Sequence, residues 1–258
     1  MRARTPRVRW VDSHCHLQLA EEDPERLLER AAEAGVEWVV VPGTDAETSR
    51  RAAELAARFP DRVVASAGLH PHEARRWPEE REALAALAAG AAAVGETGLD
   101  LYRSLSPPDA QARAFAEQLR MAEELDKPVV VHCRDAFAEV HRHLEFTGTG
   151  RRAILHCWTG GPRWTRRFAD LGVTFSFAGP VAFETGDTVR RGAEVAPPER
   201  AMVETDTPYL SPPPHRWEAN EPARVVLVGA ALAEVWGLAV DEVARITSDR
   251  AAVVFGRG

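Results

Sequence analysis

The sequence predicts an α/β fold, a (β/α)8 TIM barrel forming a single domain over residues 1–258. Three observations carry that prediction. Eight short apolar runs alternate with amphipathic stretches of helix length. The runs are continuously apolar, as expected of parallel strands covered on both faces, whereas a half-solvated strand alternates. His14, His16, Glu96, His132, His156 and Asp206 each stand at the carboxyl end of one of these runs, the rim from which such barrels present their working residues. A doubly wound open sheet is less compatible, because its crevice does not recruit side chains from the first, fourth, fifth, sixth and last strands together.

Along the chain, the predicted strands are 8–11, 39–41, 63–67, 91–94, 129–131, 153–155, 173–177 and 201–203. Thr44-Asp45-Ala46-Glu47 has the form of a capping box and predicts a helix start. Ser106-Pro107 predicts another, with serine as N-cap and proline in the first turn. In that helix Ala112, Phe115, Leu119, Ala122 and Leu125 recur at helical spacing, giving one face to lay on the sheet. Pro128 marks entry to the next strand. Two helices, 222–236 and 240–254, follow the last strand, with Gly237 between them as a C-terminal cap. There is no internal repeat and no low-complexity linker.

Composition is that of an ordinary globular protein, 45% hydrophobic and 28% charged. Three cysteines without regular spacing form no disulfide framework and suit a reducing compartment, so the expected location is the cytoplasm. Neither a signal peptide nor a membrane span is expected. The net charge of −7 argues against binding nucleic acid through a broad basic face. Two divalent cations would bring it to about −3 and concentrate positive charge where an anionic substrate reacts. Lys127 is the single lysine among 32 basic residues, so nearly every cation is a guanidinium suited to bidentate phosphate contacts.

In Asp12-Ser13-His14-Cys15-His16, two imidazoles one residue apart point the same way on an extended segment, so one cation meets both. Cys15 then points away, and so do Cys133 after His132 and Cys157 after His156; no cysteine is expected as a ligand. Glu96 follows an apolar run, where an unpaired carboxylate is costly to bury. Period two places Glu204 beside Asp206, and two carboxylates that close call for a cation or a shared proton. Each feature has a plainer reading as a satisfied core histidine or a turn aspartate, but the ordered set points to a two-metal hydrolase.

Six segments carry a family resemblance: Asp12-Ser13-His14-Cys15-His16-Leu17, Gly68-Leu69-His70-Pro71, Gly95-Glu96-Thr97-Gly98-Leu99-Asp100, Val131-His132-Cys133-Arg134-Asp135-Ala136, His156-Cys157-Trp158-Thr159-Gly160 and Glu204-Thr205-Asp206-Thr207-Pro208-Tyr209-Leu210. With them the chain resembles the TatD-family metal-dependent deoxyribonucleases over almost its whole length. The resemblance implies a two-metal centre held by His14, His16, Glu96, His132, His156 and Asp206. It also implies phosphodiester cleavage, often 3′ to 5′ on single-stranded or damaged DNA. Zinc, manganese or iron is expected from the four imidazoles, with magnesium admissible in a phosphate-bound state. Glu96 is the expected bridge, and Asp206, His70 and Glu204 are the candidate catalytic groups. Arg134, Tyr209, Arg216 and Asn220 are candidate substrate contacts, and a monomer is expected. The chain departs from the family pattern at Trp217 and Glu218, in a loop that commonly carries glycine and lysine, and at Arg250, commonly asparagine.

Two other readings share the fold. An amidohydrolase acting on an amide or lactone often bridges its metals with a carboxylated lysine, but Lys127 precedes its strand, at the wrong end of the barrel. A non-catalytic metal-binding scaffold does not require His70 beside a full ligand set.

Overall fold

The computed structural model describes residues 8–257; the basic N-terminal stretch 1–7, in which no signal peptide was expected, lies outside the described residues. The elements follow in strict alternation: β1 (Trp10–Asp12), α1 (Pro24–Ala34), β2 (Val36–Pro42), α2 (Ala46–Arg58), β3 (Val63–Ala67), α3 (Trp77–Gly90), β4 (Ala93–Asp100), α4 (Pro108–Glu124), β5 (Val129–Arg134), α5 (Phe137–Thr147), β6 (Ala153–Leu155), α6 (Pro162–Asp170), β7 (Thr174–Phe177), α7 (Asp187–Ala193) and β8 (Ala201–Val203). Then come α8 (Val225–Trp236) and α9 (Val240–Phe255), separated by Gly237 in the left-handed conformation. The strands lie in sequence order and each neighbouring pair is parallel.

The ring closes just past the strand ends. Ser13 N–H donates to Val203 O (3.0 Å) and Asp206 N–H to His14 O (2.9 Å). The Asp12 carboxylate accepts both the backbone N–H and the hydroxyl of Thr205 (2.9 and 2.5 Å). Between strands and helices, one large apolar layer takes the outward residues, such as Val39, Val41, Val129, Val131, Ala153 and Leu155. Their alternating neighbours Val40, Val64, Ala93, Val130, Ile154 and Met202 form a second layer inside the ring, closed by Ala251 and Phe255 of α9. Strand periodicity produces the division, since successive side chains face opposite sides.

Two helix starts differ from their sequence reading. The N-cap of α2 is Asp45, not Thr44: its carboxylate accepts Thr48 N–H (2.8 Å) while the Thr48 hydroxyl accepts Asp45 N–H (2.9 Å), a capping box shifted by one residue. α4 starts at Pro108, and Ser106 instead donates to His72 O (2.7 Å) and accepts Arg75 N–H (3.3 Å). β4 also runs six residues beyond its apolar run, because Gly95–Asp100 is as buried as the valines before it. Among the described residues, no single helix is long and apolar enough to cross a bilayer.

Candidate metal centre

Inward rows that are apolar at Val130, Ile154 and Met202 become His132, His156 and Glu204 two residues later, at the carboxyl ends of β5, β6 and β8. Glu96 has the wrong parity for this scheme, since Ala93 points inward. An irregularity in the β4–β5 pairing between Val94 and Thr97 corrects it, as bulges beside functional sites do. Gly95 makes this possible: its φ is +120° and a Cβ there would stand 2.5 Å from Val130 O.

His14 and His16 lie past β1 in irregular backbone, not on the strand as the spacing suggested. Cys15 N–H still donates to Val40 O (2.9 Å), and His16 N–H to Thr207 O (2.7 Å). Cys15 points into the outer apolar layer. Asp206 takes the left-handed conformation (φ +59°). Its loop is tied down by Asn220, whose amide donates to Thr205 O (2.8 Å) and Tyr209 O (2.7 Å).

All six expected ligands converge on one point of the rim. Glu96 Oε2 lies 3.3 Å from His14 Nε2 and 3.5 Å from His16 Nε2, and those two nitrogens are 3.2 Å apart. Asp206 Oδ1 joins this group at 3.8 and 3.5 Å. On the other side, Glu96 Oε1 lies 2.8 Å from His156 Nε2, 3.1 Å from His132 Nδ1 and 3.3 Å from His70 Nε2. Donors bound at about 2.0–2.2 Å around a tetrahedral ion stand roughly 3.3–3.6 Å apart, so the spacing fits a cation on each side of Glu96. Nitrogen and carboxylate donors without a thiolate suit a divalent metal ion.

Behind the ligands lie further carboxylates. Asp100 was not singled out from the sequence, yet its Oδ2 lies 3.2 Å from His132 Nε2 and 2.9 Å from His72 Nε2. The signal was present in the motif, Glu96 and Asp100 flanking one buried strand end. Glu204 Oε1 lies 3.3 Å from His156 Nδ1. Such partners fix the orientation and tautomer of ligating imidazoles.

Burial alone would raise the Glu96 carboxyl, but the His156 and His70 imidazoles and hydrogen bonds from His132 and His14 outweigh it and hold it well below the usual carboxylate range. Burial also opposes ionisation of Asp206, and His16 and His14 reverse it. Conversely, burial disfavours a charged His156, yet Glu96 and Glu204 hold its pKa well above the ordinary value. The chain thus presents ionised acids ringed by nitrogen donors.

Not every expected contact takes its expected place. His70, a candidate catalytic group, is largely buried, and burial pushes its pKa down to about 4. Its Nδ1 accepts His72 N–H (3.2 Å), which leaves the neutral ring's proton on Nε2, facing Glu96. Glu204, expected as a catalytic carboxylate at the mouth, is wholly buried behind His156. Asn220, expected to touch substrate, is buried with its amide committed to the Asp206 loop. Arg216 lies over the Phe183 ring, 3.6 Å from its centroid, and donates to Ser211 O.

Arg134 and Tyr209 do line the cleft, whose volume is about 760 Å³, together with Arg103, Thr44, Glu73 and Thr159. Arg134 rests over the Tyr102 ring at 4.3 Å. Of the departures, Glu218 pairs with His215 (3.0 Å) and Arg224 (2.5 Å) within its own loop, leaving Trp217 96% exposed. Arg250 reaches Thr174 at the opposite end of the barrel (3.0 Å), away from the cleft. The lone Lys127 caps the carboxyl end of α3, donating to the carbonyls of Ala88, Ala89 and Ala91 at 2.5–2.7 Å.

The family model described as TatD related DNase matches residues 11–256. The chain belongs to the TatD family. It is 37% identical over 255 residues to the uncharacterized metal-dependent hydrolase YcfH of Escherichia coli, covering 95% of each chain. It is 36% identical over 249 residues to a protein of Pectobacterium parmentieri named 3′-5′ ssDNA/RNA exonuclease TatD, covering 91% of this chain and 94% of that one. The crystal structure of the E. coli TatD homologue YjjV superposes with a TM-score of 0.87 at 28% identity, covering 96% of this chain and 98% of that chain. The protein is a metal-dependent hydrolase acting on ester bonds.

Proposed function

We propose that this TatD-family hydrolase is a two-metal deoxyribonuclease, a 3′ to 5′ exonuclease on single-stranded or damaged DNA that acts as a monomer in the cytoplasm. The observation that carries the reading is the division of Glu96, with each oxygen facing its own set of nitrogen donors at an open mouth lined by Arg103, Arg134 and Tyr209. The polarity and the single-stranded substrate are supported by the exonuclease name of the 36% identical relative. Three free cysteines fit a reducing compartment.

His14, His16 and Asp206 would hold one cation and His132 and His156 the other, with Glu96 between them. When bound, the pair supplies Lewis acidity, acidifying a water and neutralising charge on the phosphoryl oxygens. Asp206, kept ionised and reaching the cleft, orients that water and accepts its hydrogen bond. His70 remains neutral near pH 7 and donates from Nε2 to a phosphoryl oxygen. Arg134 supplies a guanidinium for a neighbouring phosphate, and the half-exposed Tyr209 a ring face for a base.

The amidohydrolase alternative has no bridging lysine here, because the Lys127 ammonium is spent on the α3 carbonyls. The decisive experiment combines metal analysis with digestion of single-stranded oligonucleotides labelled at either end. The expected result is about two metal ions per chain and stepwise loss from the 3′ end, abolished by chelator and restored by metal. Hydrolysis of lactones or hydantoins without attack on DNA would overturn the nuclease reading.

A further inference from the structure

The wholly buried Glu204 carboxylate stands behind one ligand from each side of Glu96, and we propose that it is a shared positioning residue that fixes His14 and His156 together and ties the two ion sites to each other. The inference rests on the two-cation reading above.

Glu204 Oε1 accepts Cys157 N–H (2.7 Å) and lies 3.3 Å from His156 Nδ1. Its other oxygen, Oε2, is buried without a hydrogen-bond partner, and so is His14 Nδ1. Ligand atoms of His14, His156 and Glu204 lie within 4.8 Å of one another. The two rings are stacked, with centroids 4.0 Å and planes 9° apart. Both Nε2 atoms converge on Glu96, His14 at Oε2 and His156 at Oε1.

An imidazole that offers its Nε2 lone pair to a cation carries its proton on Nδ1, and a buried Nδ1–H needs an acceptor. The orphaned Glu204 oxygen is an acceptor lacking a donor. Each group supplies what the other lacks, directly after a small shift or through one water between them. A negative charge behind both imidazoles makes both better ligands. Asp100 differs, since its contacts are with His132 and His72 and not with the His14 side.

The test uses metal-free wild-type protein, Glu204→Gln and Asp100→Asn, each titrated with zinc by calorimetry and examined by cadmium NMR, which gives one resonance per bound ion. Glu204→Gln is expected to weaken both zinc-binding steps by about 10- to 100-fold and to move both cadmium resonances; Asp100→Asn is expected to move chiefly one. If Glu204→Gln binds both ions with unchanged affinity, or moves a single resonance, the shared role is overturned. A wild-type protein that binds no ion overturns the metal centre, and this inference with it. Should Glu204→Gln not fold, the ring N–H signals of wild-type zinc protein decide. Slowly exchanging Nδ1 protons on both His14 and His156 support the role, and a rapidly exchanging His14 proton refutes it.

Discussion

Two layers of inward-facing side chains lie two residues apart inside this barrel, and their chemistry is opposite. Val130, Ile154 and Met202, with Phe255 from α9, fill the lower layer; His132, His156 and Glu204 occupy the upper one. The strands have the same geometry at both levels. The lower layer is stabilised by removing apolar surface from water, whereas the upper one gathers ionisable groups whose burial is unfavourable unless they are paired or bind cations. Stability is therefore concentrated in one layer and chemistry in the other, and the layers should fail differently when altered.

The largest effect is expected at the upper layer. Glu96→Gln should remove several kcal/mol of transition-state stabilisation, about 10³-fold or more in phosphodiesterase rate, with metal content falling and circular dichroism unchanged. A variant that kept full metal and activity would break the comparison. In the lower layer, Ile154→Ala should cost about 2–5 kcal/mol in denaturant unfolding while the folded fraction keeps wild-type metal stoichiometry. Asn220→Ala, between these cases, should lose about 1–3 kcal/mol through unsatisfied Thr205 and Tyr209 carbonyls. Steady-state kinetics should show kcat falling, because Asp206 is displaced, and KM rising, because Tyr209 of the cleft wall is released with it.

The smallest expected effect is on the pH dependence of metal-free stability. His156, His16 and His132 have pKa values raised above 6.5, as Glu96, Asp206 and Asp100 outweigh burial. Their contribution is fully present below pH 6.5 and disappears as pH rises through the raised values. Glu96 and Asp206 are depressed below 4.5 and 3.8, so theirs is present above those values and lost as pH falls through the depressed ones. His70, pushed down to about 4 by burial, acts in the opposite sense and removes stability as pH falls below 6.5, so metal-free protein should be most stable near pH 6.5, and zinc should stabilise it most above that value. Melting curves in chelator that do not fall between pH 6 and 8.5 would count against this.

Much of the upper layer was legible because a ligand's residue type survives in the sequence whatever its surroundings. His132 and His156 could be placed by following apolar runs to their ends. Other assignments failed where neighbours decide. Arg216 and Asn220 have the right chemistry for substrate contact and Glu204 for catalysis, but in the fold they meet an aromatic ring, a backbone loop and the back of His156. Asp100 passed unnoticed because its partners, His72 and His132, lie 28 and 32 residues away.

By itself the sequence determined the eight strands and their order, the candidate metal-ligand side chains that gather at the rim and the cap at Gly237, since periodicity, residue type and turn chemistry are local properties. Only the tertiary structure decided which side of Glu96 each imidazole faces, that Glu96 points inward through an irregularity at Gly95, and that Glu204 and Asp100 stand behind the ligands. Those outcomes depend on strand register and ring closure, which bring together residues far apart in the chain at separations that no local pattern encodes.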